Sequence, residues 1–470
     1  MGALPNGDAP PSLRMSAMTS DDLFRYDGYV IDPARHSVAC HYATAGRTFT
    51  ERFTFEPGGD WGDPAVQAAV RLLYLVAGVS YYKTTAAPLI DLGYLAASAL
   101  ERSFLTEYYV HGLGEFALRN GIDLSGLRVT GPDRTDPPPP AYEPERGKPL
   151  IPFGGGIDSI VTVDALSLDH PGAALFVVHP PGDRFAAIED AARVTGLPVR
   201  HVEREIDPLV RRSAELGFLN GHVPITAIIS AAAVVDAVLG GRDAVVLSNE
   251  WSASVPTRIS NGHAVNHQWS KGEDFERAFA GIVEATVGAR LAVFSYLRPR
   301  SELWVAERFA RLAPYHRVFR SCNRAFAQDP GERLDHWCGR CDKCCFIDLI
   351  LAPYMARDEL ADVFGGTEPL ENPDNETRFR TLLALGAASK PFECVGDTDE
   401  SRAALLLAAQ RPDRAGTALL HRLREEVAAA AGGVDAAPPA TLDTAAWLGP
   451  RGAHHIPDRY APADLLVRGR

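Results

Sequence analysis

Basic residues are in the minority in this 470-residue chain, where 47 Lys and Arg stand against 60 Asp and Glu for a formal charge of −13. That balance argues against a nucleic-acid partner held on a broad cationic face, while leaving room for a local basic pocket around a small anion. An apolar core of signal-peptide type is missing between Met1 and Asp22, and no apolar run reaches membrane-spanning length. A cytoplasmic protein without membrane insertion is the expectation. No internal repeat is evident, and nothing in the sequence fixes the oligomeric state. Cysteine is scarce at seven residues, and four of these fall between Cys338 and Cys345. Such crowding points to a metal or redox cluster rather than a disulfide framework. What remains is ordinary for a soluble globular protein: 46% hydrophobic and 23% charged residues, enough chain for two or three domains.

One stretch organises the rest. Phe153-Gly154-Gly155-Gly156-Ile157-Asp158-Ser159 follows the apolar run Leu150–Phe153 and precedes Ile160, Val163 and Leu166 at helical spacing. Strand, glycine turn and helix make a phosphate cradle. The glycines leave no Cβ in the way, and the helix start offers unpaired N–H groups. Asp158 could hold Mg²⁺ on a polyphosphate, and Ser159 could cap the helix or bond a phosphate oxygen. No Gly-Lys-Ser/Thr follows the glycines, so this is not a Walker A loop. Gly155, Gly156, Ile157, Asp158 and Ser159 resemble the PP-loop of the ATP pyrophosphatases, with Gly154 in place of that motif's leading Ser. The resemblance implies ATP cleavage between the α and β phosphates.

Around that motif the expected layout runs in five parts. Residues 1–20 read as a disordered leader, 21–130 as an α+β domain, and 131–149 as a stiff linker around Pro137–Pro140. Residues 150–395 alternate strand and helix, which predicts an α/β fold with a doubly wound parallel sheet and ligands at its carboxyl edge. Its strands are expected at Leu150–Phe153, Ala173–Val178, Val199–Val202, Ala244–Leu247 and Leu291–Tyr296. Residues 396–470 are expected to form a helical extension, an Ala/Gly/Pro segment at 432–439 and a loosely packed tail. In the amino-terminal part, helices are expected over about Asp63–Val79 and about Asp91–Asn120, the second with a break near Gly112.

Other constellations carry chemistry. The strand Ala244–Leu247 runs into Ser248-Asn249-Glu250-Trp251-Ser252, followed by Asn261-Gly262-His263 and Val265-Asn266-His267-Gln268-Trp269-Ser270-Lys271. These polar groups at a strand exit could supply amide donors, a Lys for phosphate charge and a His for proton transfer, or could simply build a turn-rich surface loop. Cys338, Cys341 and Cys344 have two-residue gaps, and Cys322 lies sixteen positions upstream of the first. That is four-ligand zinc spacing. Cys345 would be a spare or a competing ligand, and an iron–sulfur cluster or an unliganded buried group are the other readings. Arg298, Arg300, Arg317, Arg320 and Arg324 suit either anionic ligands or a solvated face. Lys83-Thr84-Thr85 suits either an anion contact or a helix end.

Taken together, Tyr81–Thr84, Pro152–Ser159, Ser248–Ala253, Val265–Lys271 and Cys338–Cys344 resemble the UDP-N-acetylmuramoyl-L-alanyl-L-glutamate epimerases, the MurL family. The resemblance spans about residues 20–395. It implies ATP-dependent inversion of the terminal L-Glu of a UDP-muramoyl dipeptide, releasing AMP and pyrophosphate, for peptidoglycan synthesis. Attack of the glutamate α-carboxylate on ATP would give an acyl adenylate, whose Cα–H is acidic enough for a side-chain base. On this reading Gly154, Gly155, Gly156 and Ser159 bind pyrophosphate, and Asp158 holds Mg²⁺. Asn249 and Glu250 line the site, His267 moves a proton, with Cys322 or His316 as alternatives, and Lys271 neutralises charge. Cys322, Cys338, Cys341 and Cys344 hold structural Zn²⁺. Two other readings stand beside it: a 7-cyano-7-deazaguanine synthase-like PP-loop ligase, and a non-catalytic adenine-nucleotide-binding regulator.

Overall fold

A computed structural model describes residues 22–135, 138–260, 263–327, 329–386, 390–430 and 444–466. The expected leader, the 432–439 segment, and Asn261 with Gly262 lie outside the described residues. Twelve strands occur among the described residues: β1 (Leu23–Asp32), β2 (Ser37–Thr44), β3 (Arg47–Phe55), β4 (Leu89–Asp91), β5 (Arg128–Thr130), β6 (Glu145–Pro152), β7 (Ala174–His179), β8 (Val199–Glu205), β9 (Arg242–Leu247), β10 (Arg258–Ser260), β11 (His263–Val265) and β12 (Ala292–Ser295). Ten of them form one mixed, mostly parallel sheet in the order β12-β9-β6-β7-β8-β3-β2-β1-β4-β5, while β10 and β11 form a separate hairpin.

The five expected strands are β6, β7, β8, β9 and β12, and all four pairings among them are parallel. Chain order reverses between β6 and β9, the kind of position at whose carboxyl edge open α/β sheets bind ligands. Both faces of this block are covered, and alternate residues go to two different cores. Leu150, Phe176, Val245 and Leu247 pack with the helices Pro64–Ala77 and Ile225–Leu239. Ile151, Leu175, Val177, Ala244 and Val246 pack with the helices Ile157–Ser167, Ala186–Thr195 and Asp342–Leu351. Two-sided burial is why these strands read as apolar runs in the sequence.

The amino-terminal strands join this block edge to edge. β3 pairs antiparallel with β8, Arg52 opposite Glu205 and Phe55 opposite Val202, so one sheet runs through both halves of the chain. A buried ion pair of Arg204 with Glu51 crosses the seam, and Arg204 also donates to Ser80 Oγ at 3.0 Å. Periodicity alone cannot foresee such an edge, because it carries no information on which strands meet.

Several expectations need correction. Pro64–Tyr82 is a 19-residue helical run with mean hydropathy 1.2, long and apolar enough to cross a membrane by length and composition. It is 83% buried inside the protein, as befits a core helix, so its apolar character is accounted for by packing. The helix expected from Asp91 begins instead at Ala99, because Leu89–Asp91 is β4, paired parallel with β1 and β5. Ser98 sets the true start through a capping box with Glu101: Glu101 N–H donates to Ser98 Oγ at 3.2 Å, and Ser98 N–H to Glu101 Oε2 at 2.9 Å. The break near Gly112 is present, and a Cβ there would meet Pro224 Cγ at 2.9 Å. The linker is partly packed, since Tyr142 is buried and donates to Arg242 O at 2.7 Å. Nor is the described part of the tail loose. Trp447, Ile456 and Tyr460 are buried in the second core, and Tyr460 donates to Asp243 Oδ1 at 2.8 Å.

Candidate active site

At the carboxyl end of β6 the chain turns through Gly154–Gly156 into the helix Ile157–Ser167. Gly155 sits at φ +73°, and a Cβ there would meet Ala187 O at 2.7 Å, so both conformation and space demand glycine. Gly154 is exposed with nothing within 4 Å of a Cβ, leaving the turn open on that side. Gly156 caps the helix without a side-chain hydrogen bond, so the first-turn N–H groups keep their donor capacity. Ser159 is not the cap expected for it; its hydroxyl donates to Gly156 O at 3.1 Å. Asp158 Oδ1 is buried without a hydrogen-bond partner. Burial first, then the charge of Glu250, pushes the Asp158 carboxyl up to about 7, against the pull of Lys343 and Lys271.

β9 lies beside β6 with Leu150 opposite Val245, so Ser248–Ser252 emerges at the same edge as the glycine turn. Asn249 donates its amide to Ser295 Oγ at the end of β12, at 3.0 Å. Glu250 is buried, and its Oε1 accepts from Ser252 Oγ at 3.0 Å. Arg298 ties this loop down from beneath. It pairs with Glu276 at 2.7 Å, donates to Glu250 O at 2.9 Å and also reaches Lys271 O. Arg298 is therefore a buried organiser rather than an anion ligand. Arg300 is similarly committed, to Asp464 at 2.7 Å and over the Trp304 ring. Arg317 and Arg324 are exposed, and Arg320 donates to Val318 O at 3.2 Å and to Asp335 O.

A group of residues that the sequence did not single out completes the site. Cys394 comes from the segment before the helix Thr398–Ala408, and Lys271 Nζ lies 3.5 Å from its sulfur. Lys343 Nζ donates to the Cys394 carbonyl at 2.6 Å, and His267 is hydrogen-bonded to the thiol. Burial alone would raise this thiol, but Lys271, the hydrogen bond with His267 and Lys343 outweigh it and bring the pKa down to about 6. Burial would lower the His267 imidazole, yet Cys394 and Glu115 together raise it to about 9. His267 Nδ1 is hydrogen-bonded to Glu115 Oε2, and the His222 ring stands 4.4 Å from the His267 ring. At neutral pH, then, His267 is an imidazolium held between a carboxylate and a thiolate. In that state His267 can give up a proton but not take one up. The Lys271 ammonium is held above its usual range, first by Cys394 and then, against burial, by Glu250 and Asp158.

Acidic groups line the other side. Glu302 is buried, and burial followed by the charges of Glu250 and Asp158 holds its carboxyl well above the usual range. Burial likewise pushes Glu400 up to about 8, although it accepts from Leu303 N–H at 2.8 Å. Lys390 Nζ is buried without a partner, and burial lowers its pKa. Raised carboxyls, an orphaned Asp oxygen and a low-pKa thiol among cations make a cluster of perturbed groups suited to polyphosphate binding and proton transfer.

Cys322, Cys338, Cys341 and Cys344 converge, their sulfurs all within 4.8 Å of one another. Cys338 and Cys341 lie 3.5 and 3.4 Å from Cys344, and Cys341 Sγ accepts from Cys344 N–H at the start of the helix Asp342–Leu351. Four thiolates about 2.3 Å from one tetrahedral ion would stand about 3.8 Å apart, so the donor set fits a single metal ion. Cys345 is buried among apolar side chains and outside that set. Of the alternative proton-transfer groups, Cys322 therefore belongs to the metal cluster, and His316 Nε2 lies 3.3 Å from Phe309 O, on the helix Glu302–Phe309. Lys83 donates to Asn220 Oδ1 at 2.7 Å, and Thr84 to Tyr81 O at 2.7 Å, so these two are internally paired. A cavity of about 1070 Å³ is lined in part by Trp269. Its lining includes Glu107, Asp123, Glu273 and Asp274 against Arg277, an unsuitable balance for a nucleoside diphosphate.

A family model described as the MurL N-terminal domain matches residues 15–296, and one described as the MurL C-terminal domain matches residues 318–437. Three relatives are each named UDP-N-acetyl-alpha-D-muramoyl-L-alanyl-L-glutamate epimerase. That of Salinispora tropica is 37% identical over 94% of this chain and 95% of its own. That of Xanthomonas oryzae pv. oryzae is 41% identical over 77% of this chain and 79% of its own. That of a Micromonospora species is 37% identical over 94% and 97%. No solved structure matches the chain.

Proposed function

We propose, because the chain belongs to the MurL family, that it is the epimerase of UDP-N-acetylmuramoyl-L-alanyl-L-glutamate, inverting the terminal glutamate by way of ATP. The observation that carries the ATP half of this reading is the glycine turn at the point where strand order reverses, with Asn249 and Glu250 on the neighbouring strand end. The turn acts as a PP-loop: uncapped N–H groups at Gly156–Ser159 receive phosphate oxygens. The orphaned Asp158 Oδ1 suits Mg²⁺, which would supply charge neutralisation on the polyphosphate. The substrate's α-carboxylate attacks the α-phosphorus, pyrophosphate leaves, and the resulting acyl adenylate behaves as an activated ester. Only the α-carboxylate adjoins the stereocentre, so only its activation acidifies the relevant C–H. Inversion at Cα and hydrolysis of the anhydride then give the D-glutamyl product and AMP.

The four-Cys set holds Zn²⁺ as a structural ion, all four positions being filled by protein. The protein acts in the cytoplasm, where a nucleotide-linked precursor and ATP are both present. A 7-cyano-7-deazaguanine synthase-like ligase or a non-catalytic nucleotide binder would share the glycine turn, but not a family match across both parts of the chain.

The test is product identity. Purified protein with ATP, Mg²⁺ and the UDP-muramoyl dipeptide should release AMP and pyrophosphate in step with D-glutamyl product. ADP and inorganic phosphate as products would sink the adenylation reading, and AMP without change of configuration would sink the epimerase reading.

A further inference from the structure

We propose that Cys394 is the base that removes the Cα proton, a role that rests on the acyl-adenylate reading above. The placement of this sulfur is the first argument. The segment around it is clamped from several directions: Gln268 Nε2 lies 3.5 Å from Val395 O, and Lys343 holds the Cys394 carbonyl. Asn323 Nδ2 donates to both oxygens of Glu393, at 3.0 and 3.1 Å. Gly396 packs so tightly that a Cβ would meet Phe346 Cζ at 2.8 Å and Glu302 Cγ at 3.1 Å. So much fixation of one cysteine-bearing turn by elements far apart in sequence is what a reacting group requires.

The second argument is the electrostatic cage. Lys271 approaches the sulfur to 3.5 Å, and His267 also acts on it while its Nδ1 is held by Glu115. Glu115 is in turn paired with Arg119 at 2.6 Å. Carboxylate, imidazolium and thiolate thus form a chain, with His267 a positioning residue that keeps the sulfur ionised. No other cysteine of the chain can take this part. Four belong to the metal set, and Cys40 and Cys345 are buried in the two hydrophobic cores.

In the step itself the Cys394 sulfur forms an S–H bond as the Cα–H bond breaks, and the electron pair moves into the enolate of the activated carbonyl. The enolate then takes a proton on its opposite face. Glu302 and Glu400, whose carboxyls burial pushes above the usual range, are the acids the site holds for that half. Charge is conserved: the thiolate ends as a thiol and the acid as a carboxylate, and proton exchange with water resets both.

The test uses the full-length protein with ATP, Mg²⁺ and the UDP-muramoyl dipeptide in D₂O, comparing wild type with Cys394→Ala and Cys394→Ser. Single-turnover pyrophosphate release should survive within a few-fold in both variants, while Cα deuterium incorporation falls by about 10²–10⁴-fold. Zinc content should be unchanged, since Cys394 is outside the four-Cys set. Exchange within tenfold of wild type in Cys394→Ala would overturn the proposal. Should either variant fold poorly, iodoacetamide on the wild type gives the same answer. Cys394 should be alkylated with a pH midpoint near 6, set by Lys271, His267 and Lys343 around it and with Asp158 nearby. Alkylation should abolish exchange, and exchange surviving full alkylation would overturn the assignment. If wild type releases no AMP, the adenylation reading itself fails, an outcome distinct from normal AMP release with unimpaired exchange in the variant.

Discussion

Asp158→Ala should abolish both AMP release and Cα exchange while leaving the fold intact or slightly stabilised. The carboxyl lies at the helix start beneath the glycine turn, with one oxygen buried and unpartnered. Burial and the neighbouring Glu250 already disfavour its ionised form. Because its folded pKa is raised from 3.8 to about 7, the cost of ionising it sets in as pH rises past the ordinary value and is complete above about 7. Alanine removes that cost, so thermal denaturation near neutral pH should not move to lower temperature. Catalysis should suffer differently. Loss of the group that positions Mg²⁺ removes several kcal/mol of charge stabilisation, on the order of 10³-fold or more in adenylation. Measuring AMP release and melting together separates the two effects. A variant that melts early with residual activity in proportion to folded protein would make Asp158 a structural residue instead.

Removing the metal should act in the reverse order, on stability before chemistry. Cys341 caps the helix Asp342–Leu351 through its sulfur, and that helix buries Phe346, Ile347, Leu349, Ile350 and Leu351 in the second core. Structural zinc supplies roughly 10–16 kcal/mol of apparent binding free energy in zinc-finger peptides, and a site with its own core should forfeit part of that. A loss of about 5 kcal/mol would lower the melting temperature by roughly 10 °C or more in a domain of this size. Elemental analysis should find one zinc per chain, and chelation or Cys341→Ser should produce the early melt. Lys343 lies between Cys341 and Cys344 and reaches the Cys394 carbonyl, so activity should decline as the helix start loosens. Metal-free protein with unchanged melting and full activity would contradict a structural zinc.

The parts of the site visible in the sequence are those whose signal is local. Gly154–Ser159 announces itself by glycine, acid and hydroxyl at one strand exit. Ser248–Glu250 does so by polar residues after a strand buried on both faces, and the cysteine set by its spacing. Cys394 has no such signal: in Lys390-Pro391-Phe392-Glu393-Cys394 it is one thiol in a short irregular stretch. Its meaning comes from Lys271 and Lys343, which lie 123 and 51 residues away in the chain and meet it only in the fold. Glu115 is similarly remote, 152 residues from the imidazole it holds, and with Cys394 it raises the His267 pKa. The same limit explains the sheet. Apolar runs identified β6, β7, β8, β9 and β12, but not the antiparallel seam of β3 with β8. Three-residue strands such as β4 are too short to show a period, so the helix expected from about Asp91 overlaps the last residue of β4.

The most direct measurement is the ATP dependence of proton exchange at the glutamate Cα, followed in D₂O with wild-type protein, Mg²⁺ and UDP-N-acetylmuramoyl-L-alanyl-L-glutamate. With ATP, deuterium should enter Cα as AMP is released. Without ATP there should be none, because the free carboxylate leaves the neighbouring C–H too weakly acidic for any base in the site. Exchange at a comparable rate in the absence of ATP would contradict activation before proton transfer, whatever residue takes the proton.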